Sequence, residues 1–459
     1  MRTPAPLGPL TDHPVLPDSA GRARILVLGG GYVGLYSALR LRRRLGREVQ
    51  IVVVDPRPYM TYQPFLPEAA AGSLEPRHVV VSRRRELPDA VHLTGEVTGL
   101  DHARRTAQIT THLGEQLMVR YDEVVVALGS VSRVLPIPGL AEEAIGFKQI
   151  EEATALRNAA LARLEDASAT PDAARRRRLL TFTFVGGGFA GIEAIAEVED
   201  MVRDALRHHP TLSAEDVRFV MIEGSTRILP ELGEEMGGYA LEQLRRRGIE
   251  VRLATLLTSC VGGNVVTSTG EPFESATIVW TAGIRANPVL ARTDLPLDDA
   301  GRVRALPTLQ VVDEAGAVVP GAWVAGDCAA VPDLANPGAL CSPSAQHAVR
   351  QARHLGDNLA RSLRGARLVD YRHRHVGTVA SLGLHRGVAQ VYGVRLRGWP
   401  AWFMHRTYHM AQMPTVNRKV RIVLDWTLAL FFRRELVALG RLEDPRAEFR
   451  AAAGPRLAA

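Results

Sequence analysis

The sequence predicts an α/β protein built from two copies of one strand–turn–helix–strand unit, with an α-rich C-terminal module after them. Three observations lead there. A short apolar run, Ile25 to Leu28, enters the turn Gly29-Gly30-Gly31-Tyr32-Val33-Gly34. The pattern returns 157 residues later, where Phe182 to Val185 enters Gly186-Gly187-Gly188-Phe189-Ala190-Gly191. Over the last ninety residues the composition shifts, and Trp399, Trp402, Phe403, Trp426, Phe431 and Phe432 gather among arginines.

Taken in order, residues 1–20 read as a disordered, proline-rich arm. Ile25–Leu28 has the continuous apolar character of a buried parallel strand. After the glycines, Leu35 to Leu45 keeps helical spacing with a basic face, and Val49 to Val54 is a second strand ending at Asp55. Residues 91–126 alternate as a small antiparallel excursion, and Val124–Ala127 is another buried strand. Residues 150–165 read as a helix. Ala167 to Arg178 reads as a polar surface connection. The second unit then runs as a strand Phe182–Val185, a helix Ile192–His208 and a strand Val217–Ile222 that ends at Glu223. Thr277–Trp280 and Ala322–Ala325 are further strands, and Ser344–Ala360 is a helix. The expected division is one domain of residues 21–145 and 300–365, a second of 146–299, and a module of 366–459.

Composition agrees. A chain of 459 residues suggests about three domains at ~150 residues each. With 46% hydrophobic and 23% charged residues, wholesale disorder is excluded. The net charge is +7, and Lys148 and Lys419 are the only lysines among 56 basic residues. Such a weak, scattered excess gives no nucleic-acid surface. The three cysteines form no C-x-x-C pair and are too few for a disulfide framework, which predicts a reducing compartment; no metal centre is expected.

Both turns fit G-x-G-x-x-G, so the two units read as Rossmann-like dinucleotide-binding domains. Gly29 permits the tight turn, Gly31 lets a pyrophosphate approach backbone, and Gly34 lets helix and strand pack closely. The helix N-terminus offers oriented N–H groups to phosphate. Asp55, 21 residues after Gly34, stands where a ribose hydroxyl would bind. Gly186, Gly188, Gly191 and Glu223 repeat the set. An acid at Glu223 repels a 2′-phosphate and favours NADH over NADPH, though Arg227 stands close enough to blur the preference. Two dinucleotide sites in one chain imply a hydride passed from nicotinamide to flavin.

On these motifs the chain resembles the pyridine-nucleotide oxidoreductase superfamily. Val124 to Ser130 is similar to that group's strand-and-glycine motif, with Ala127 and Gly129 in place but Leu128 where a threonine is usual. The stretch Val279 to Gly283 is similar to the segment after its NAD domain, and Val324-Ala325-Gly326-Asp327 resembles its second FAD motif. The resemblance implies that Tyr32, Val33, Phe189, Ala190, Gly283 and Asp327 line the cofactors, with FAD held non-covalently and NADH as donor. No cysteine pair follows the first unit, which excludes disulfide reduction through the usual pair; Cys341 reads as a small buried filler. Within the superfamily, Gln63-Pro64-Phe65-Leu66-Pro67 resembles the stretch that lies beside the flavin in type II NADH:quinone dehydrogenases. That resemblance implies Pro64 at the cofactor, Glu193 near the nicotinamide and Gln346 facing flavin and quinone, the last two as catalytic groups. A second glutamine often follows the first by four residues; here that position is Arg350, and Gln351 comes one later. His347 reads as a packed or capping residue. Two other readings stand open: a soluble flavin reductase or NADH oxidase, and a redox-sensing protein with little turnover.

Residues 417–434 place Ile422, Leu424, Trp426, Leu428, Leu430 and Phe431 between Arg418, Lys419 and Arg421 at one end and Arg433 and Arg434 at the other. Aromatics at a polar–apolar boundary, flanked by cations, suit a helix lying in an anionic membrane surface. The run Ile422 to Phe432 would extend ~16 Å as a helix, about half of a ~30 Å hydrocarbon core, so it does not span. The expectation is a peripheral protein on the cytoplasmic face of the cell membrane, without proton pumping. Packing against a second copy, as a homodimer, is the other reading of these helices.

Overall fold

The computed structural model describes residues 16–373, 377–432 and 434–438. Most of the N-terminal arm, Arg433 and the end of the C-terminal module therefore lie outside the described residues. The chain forms two compact units, each assembled from three separate segments.

The first unit takes the residues up to Thr61, Val80–Arg133, and those from Ile284 to 373. Its core is an eight-stranded sheet in the order Gln310–Val312, Val318–Val324, Glu123–Val126, Ala23–Leu28, Val49–Asp55, Val91–Asp101, Thr106–Thr111, Gln116–Arg120. The five strands from Val318–Val324 to Val91–Asp101 are parallel, and Gln310–Val312 at one edge and Thr106–Thr111 and Gln116–Arg120 at the other pair antiparallel. Ile25, Leu26, Val27 and Leu28 are fully buried, as a strand covered on both faces requires. The helices Tyr32–Leu45 and Ala345–Leu363 pack together there. A side chain at Gly356 would meet Arg40 Cβ at 2.8 Å, and Asp357 pairs with Arg40 and Arg44 at 2.7 and 2.6 Å.

The second unit takes Tyr62–Val79, Val134–Gly283 and the described residues from 377. Its five-stranded sheet is parallel throughout, in the order Ala144–Gly146, Thr277–Trp280, Thr181–Val185, Arg218–Ile222, Ile249–Arg252. The helices Ile150–Ala169 and Phe189–Ala205 pack with the short helix Leu66–Ala70.

The expected division shifts in several places, and residues 366–373 stay with the first unit. Residues 62–79 leave the first unit because the buried helix Leu66–Ala70 packs in the second. Residues 134–145 leave it too, since Ala144 pairs with Ile278 at the edge of the second sheet. Residues 284–299 return to it: Ile284–Ala286 pairs with Ser130–Ser132, and Asp294 accepts the N–H groups of His102 and Ala103 at 2.7 and 2.9 Å. The residues from 377 cluster with the second unit instead of standing apart. They also begin as β, in an antiparallel sheet of Gly377–Ser381, Gly387–Val391 and Val394–Arg397, before the helices Trp399–Gln412 and Val416–Phe431. Part of the expected polar connection is helical as well. Asp172 accepts the N–H groups of Ala174 and Arg175 and starts the helix Ala173–Leu179, which holds the four arginines.

Candidate functional site: two glycine turns and a buried ionic cluster

The two glycine turns have the same construction. Gly29 donates to Val54 O at 2.8 Å, and Gly186 donates to Ile222 O at 2.9 Å. Each thereby ties the turn to the end of the neighbouring strand. Both glycines have positive φ, +104° and +113°, where a side chain is strained. A side chain at Gly29 would collide with Ala127 O, and one at Gly186 would lie 2.7 Å from Thr281 Oγ1. Gly34 and Gly191 leave no room for a side chain either, each facing the carbonyl of its turn's first glycine. Gly31 and Gly188 differ. Each sits just before its helix, with nothing within 4 Å of where a Cβ would stand. The open position in each turn is thus the one where a pyrophosphate would meet helix N–H groups, and the residues fit a dinucleotide.

The acids are fixed by the same logic. Asp55 accepts Gly30 N–H at 2.7 Å and Arg57 N–H at 2.8 Å. Glu223 accepts Gly187 N–H and, at 2.7 Å, Ser225 N–H. The sequence did not point to Arg83. It is buried, lies 3.3 Å from Asp55 Oδ1 and packs over the Gly30 Cα, so a side chain at Gly30 would strike the guanidinium. Arg227 is exposed.

Within the first unit, Tyr32 and Val33 open the helix, and Val33 packs against Gly326: a side chain there would meet Val33 Cγ2 at 2.6 Å. Asp327, the next residue, accepts Ser130 Oγ–H at 2.6 Å, one residue after Gly129. The structure therefore brings together Gly29, Gly31, Gly34, Asp55, Ala127, Gly129 and Asp327. Gln351 is buried and accepts Gly326 N–H at 2.8 Å. Gln346 is half-buried, and its Oε1 and backbone O lie 3.4 and 3.2 Å from Arg350 Nη1. His347 Nδ1 and Tyr371 OH are 2.9 Å apart. Burial pushes the Cys341 thiol up to about 11 and the Cys328 thiol up to about 12, so neither is a thiolate at neutral pH.

Within the second unit, Phe189 and Ala190 flank the open side of the turn, and Gly283 N–H donates to Thr281 O at 3.1 Å. Pro64 belongs to this unit, in the short turn Gln63–Phe65. Glu193 is not a solvated first-turn acid. It is buried, accepts Ser381 N–H at 2.9 Å and lies 2.9 Å from His405 Nε2. Around it stand two more buried carboxylates. Glu68 pairs with Arg406 at 3.1 Å and accepts Trp426 Nε1–H at 2.8 Å, and Glu197 accepts Ser381 Oγ–H at 3.0 Å. Burial and the neighbouring Glu68 raise Glu197 above the usual carboxylate range. Arg406 lies over the rings of Trp402 and Trp426 at 4.2 and 5.0 Å.

The helix Val416–Phe431 turns Ile422 and Trp426 inward, and Asp425 Oδ2 pairs with His78 Nδ1 at 2.6 Å. Its other side is a stripe of Val416, Val420, Leu424, Leu428 and Phe431, each 52% to 78% exposed. No helix among the described residues is long and apolar enough to cross a membrane.

Residues 23–352 match the family model described as pyridine nucleotide-disulphide oxidoreductase. The chain is similar to a type II NADH:quinone oxidoreductase of Staphylococcus epidermidis, 30% identical over 394 residues, covering 84% of this chain and 94% of the relative. It is also similar to a type II NADH:quinone oxidoreductase of Mycobacterium tuberculosis, 29% identical over 435 residues, covering 90% and 89%. Among solved structures, an NDH2 of Plasmodium falciparum in complex with NADH superposes with a TM-score of 0.82 at 17% identity, covering 91% of this chain and all of that one, which supports the fold.

Proposed function

The chain belongs to the pyridine nucleotide-disulphide oxidoreductase family, among the type II NADH:quinone oxidoreductases, and from that premise we infer that it oxidises NADH and passes two electrons to a quinone without pumping protons. The observation behind this is the pairing of two glycine turns of one construction, each open at its third glycine and each with its acid fixed by turn N–H groups. One turn serves FAD and the other NADH. When bound, FAD supplies the two-electron chemistry between hydride donor and quinone.

In this reading the protein's own groups bind and orient. Gly29 to Gly34, with Ala127, Gly129 and Asp327, hold FAD non-covalently, and Asp55 receives the ribose. Gly186 to Gly191, with Gly283, hold NADH, and Glu223 faces its adenosine ribose. Glu193 orients the nicotinamide side, and Gln346 serves the acceptor side. The exposed stripe from Val416 to Phe431 lies in an anionic membrane surface, where buried apolar area adds ~25 cal/mol per Å². In this reading the protein works at the cytoplasmic face, with its quinone dissolved in the bilayer.

The deciding experiment is steady-state NADH oxidation by purified protein with menaquinone analogues, ubiquinone analogues or oxygen as acceptor. Turnover should be at least tenfold faster with one quinone class than with oxygen. Equal rates with oxygen would make it an NADH oxidase instead.

A further inference from the structure

His405 is the most deeply enclosed basic group beside Glu193. Its ring is 2% exposed, its Nε2 lies 2.9 Å from Glu193 Oε1, and its Nδ1 has no hydrogen-bond partner among the described residues. One helical turn on, the His409 ring stands 4.6 Å from it, centroid to centroid. His409 is half-buried, and its Nδ1 lies 3.4 Å from Tyr62 OH. Positions four apart on a helix share a face, so the helix Trp399–Gln412 lines up two imidazoles behind the Glu193 carboxylate.

Burial works against charge on His405. Glu193, with Glu68 and Glu197 behind it, outweighs that and raises His405 above its ordinary value. Burial and then the charge of His405 hold His409 well below its ordinary value. The other ionic groups facing the cluster are Arg406, paired with Glu68, and Arg434, which acts on Glu197. The enclosed imidazole therefore holds a proton more firmly than the neighbouring one. Imidazole can accept a proton on one nitrogen and release it from the other, so such a row can pass protons.

We propose that His405 and His409 form a proton relay that reloads Glu193 during quinone reduction. This rests on the function inferred above. The overall change is NADH + H⁺ + quinone → NAD⁺ + quinol. The hydride brings two electrons and one proton, and the second proton comes from solvent. The relay carries that second proton: it leaves His405 by way of the Glu193 carboxylate, which takes it up on one side and gives it up on the other, and His409 returns one from water to His405. Both histidines are positioning residues that act through Glu193.

The test compares His405→Gln and His409→Gln with wild type, using a quinone analogue and ferricyanide as acceptors. Ferricyanide takes electrons without taking protons. With quinone, kcat should fall at least tenfold in His405→Gln and about threefold or more in His409→Gln. The loss with ferricyanide should be at least fivefold smaller. The alkaline limb of the quinone pH profile should flatten in His405→Gln, and its solvent deuterium isotope effect should rise. Equal losses with both acceptors, or an unchanged pH profile and isotope effect, would overturn the relay. His409 is half-buried, so its variant decides the matter if His405→Gln does not fold. A wild-type protein that reduces ferricyanide but no quinone would instead refute the inferred function.

Discussion

Glu223 and Arg406 show how differently two charged side chains can be specified. Glu223 closes a strand, and its carboxylate accepts two N–H groups of the chain around it. A 2′-phosphate docked there would meet that negative charge. Glu223→Gln keeps an acceptor and removes the charge, so the ratio of kcat/KM for NADH over NADPH should drop about tenfold, equivalent to ~1.4 kcal/mol. Steady-state kinetics with both coenzymes checks this; a wild type that prefers NADPH would shift the determinant to Arg227. The place of Glu223 was legible because strand, glycine turn and acid follow one another locally. Arg406 was not. Its partner Glu68 lies 338 positions away, and no periodicity links the two. Arg406→Met would leave Glu68 buried without its cation. Breaking a buried pair from one side costs ~3–5 kcal/mol, so the urea midpoint should fall sharply. A loss under ~1 kcal/mol would mean that water or Arg434 compensates Glu68.

Among the elements, the helix Val416–Phe431 presents two chemistries on opposite sides. Asp425 and Trp426 bind inward to His78 and Glu68, while the Val416-to-Phe431 stripe faces out. Leu424→Glu with Leu428→Glu places two charges on the outward side and touches none of those inward bonds. The double variant should keep its melting temperature within ~2 °C, the range for surface changes under ~0.5 kcal/mol, and lose flotation with anionic liposomes. If the wild type never floats and instead sediments as a dimer that the same changes split, the stripe is a subunit contact. Sequence showed the aromatic and basic character of this region. The interior role of the preceding helix was not legible, because Trp402, His405 and Arg406 are buried by partners far away in the chain. The small sheet Gly377–Arg397 also escaped notice, its strands being short and interrupted by turns.

For the whole molecule, cofactor and stability are linked. Binding to the folded state alone adds ~2.7 kcal/mol at a hundredfold excess over Kd. Flavin-stripped protein should therefore melt at a higher temperature on adding FAD. Gly31→Val separates this from folding, because a side chain at Gly31 meets nothing within 4 Å. The variant should melt with the stripped wild type and show no shift on adding FAD. A shift as large as the wild type's would mean that the pyrophosphate does not pass over Gly31. The interleaving of segments also has a consequence during synthesis. Each compact unit draws on three stretches of chain, and the second needs residues beyond 377 to neutralise Glu68 and Glu193. At ~5–20 residues per second on the ribosome, more than 300 residues emerge between Glu68 and the helix that answers it. For ~15 seconds or longer the nascent chain has a half-finished interior, so its yield in the cell should depend on chaperones that shield it until the ribosome lets go.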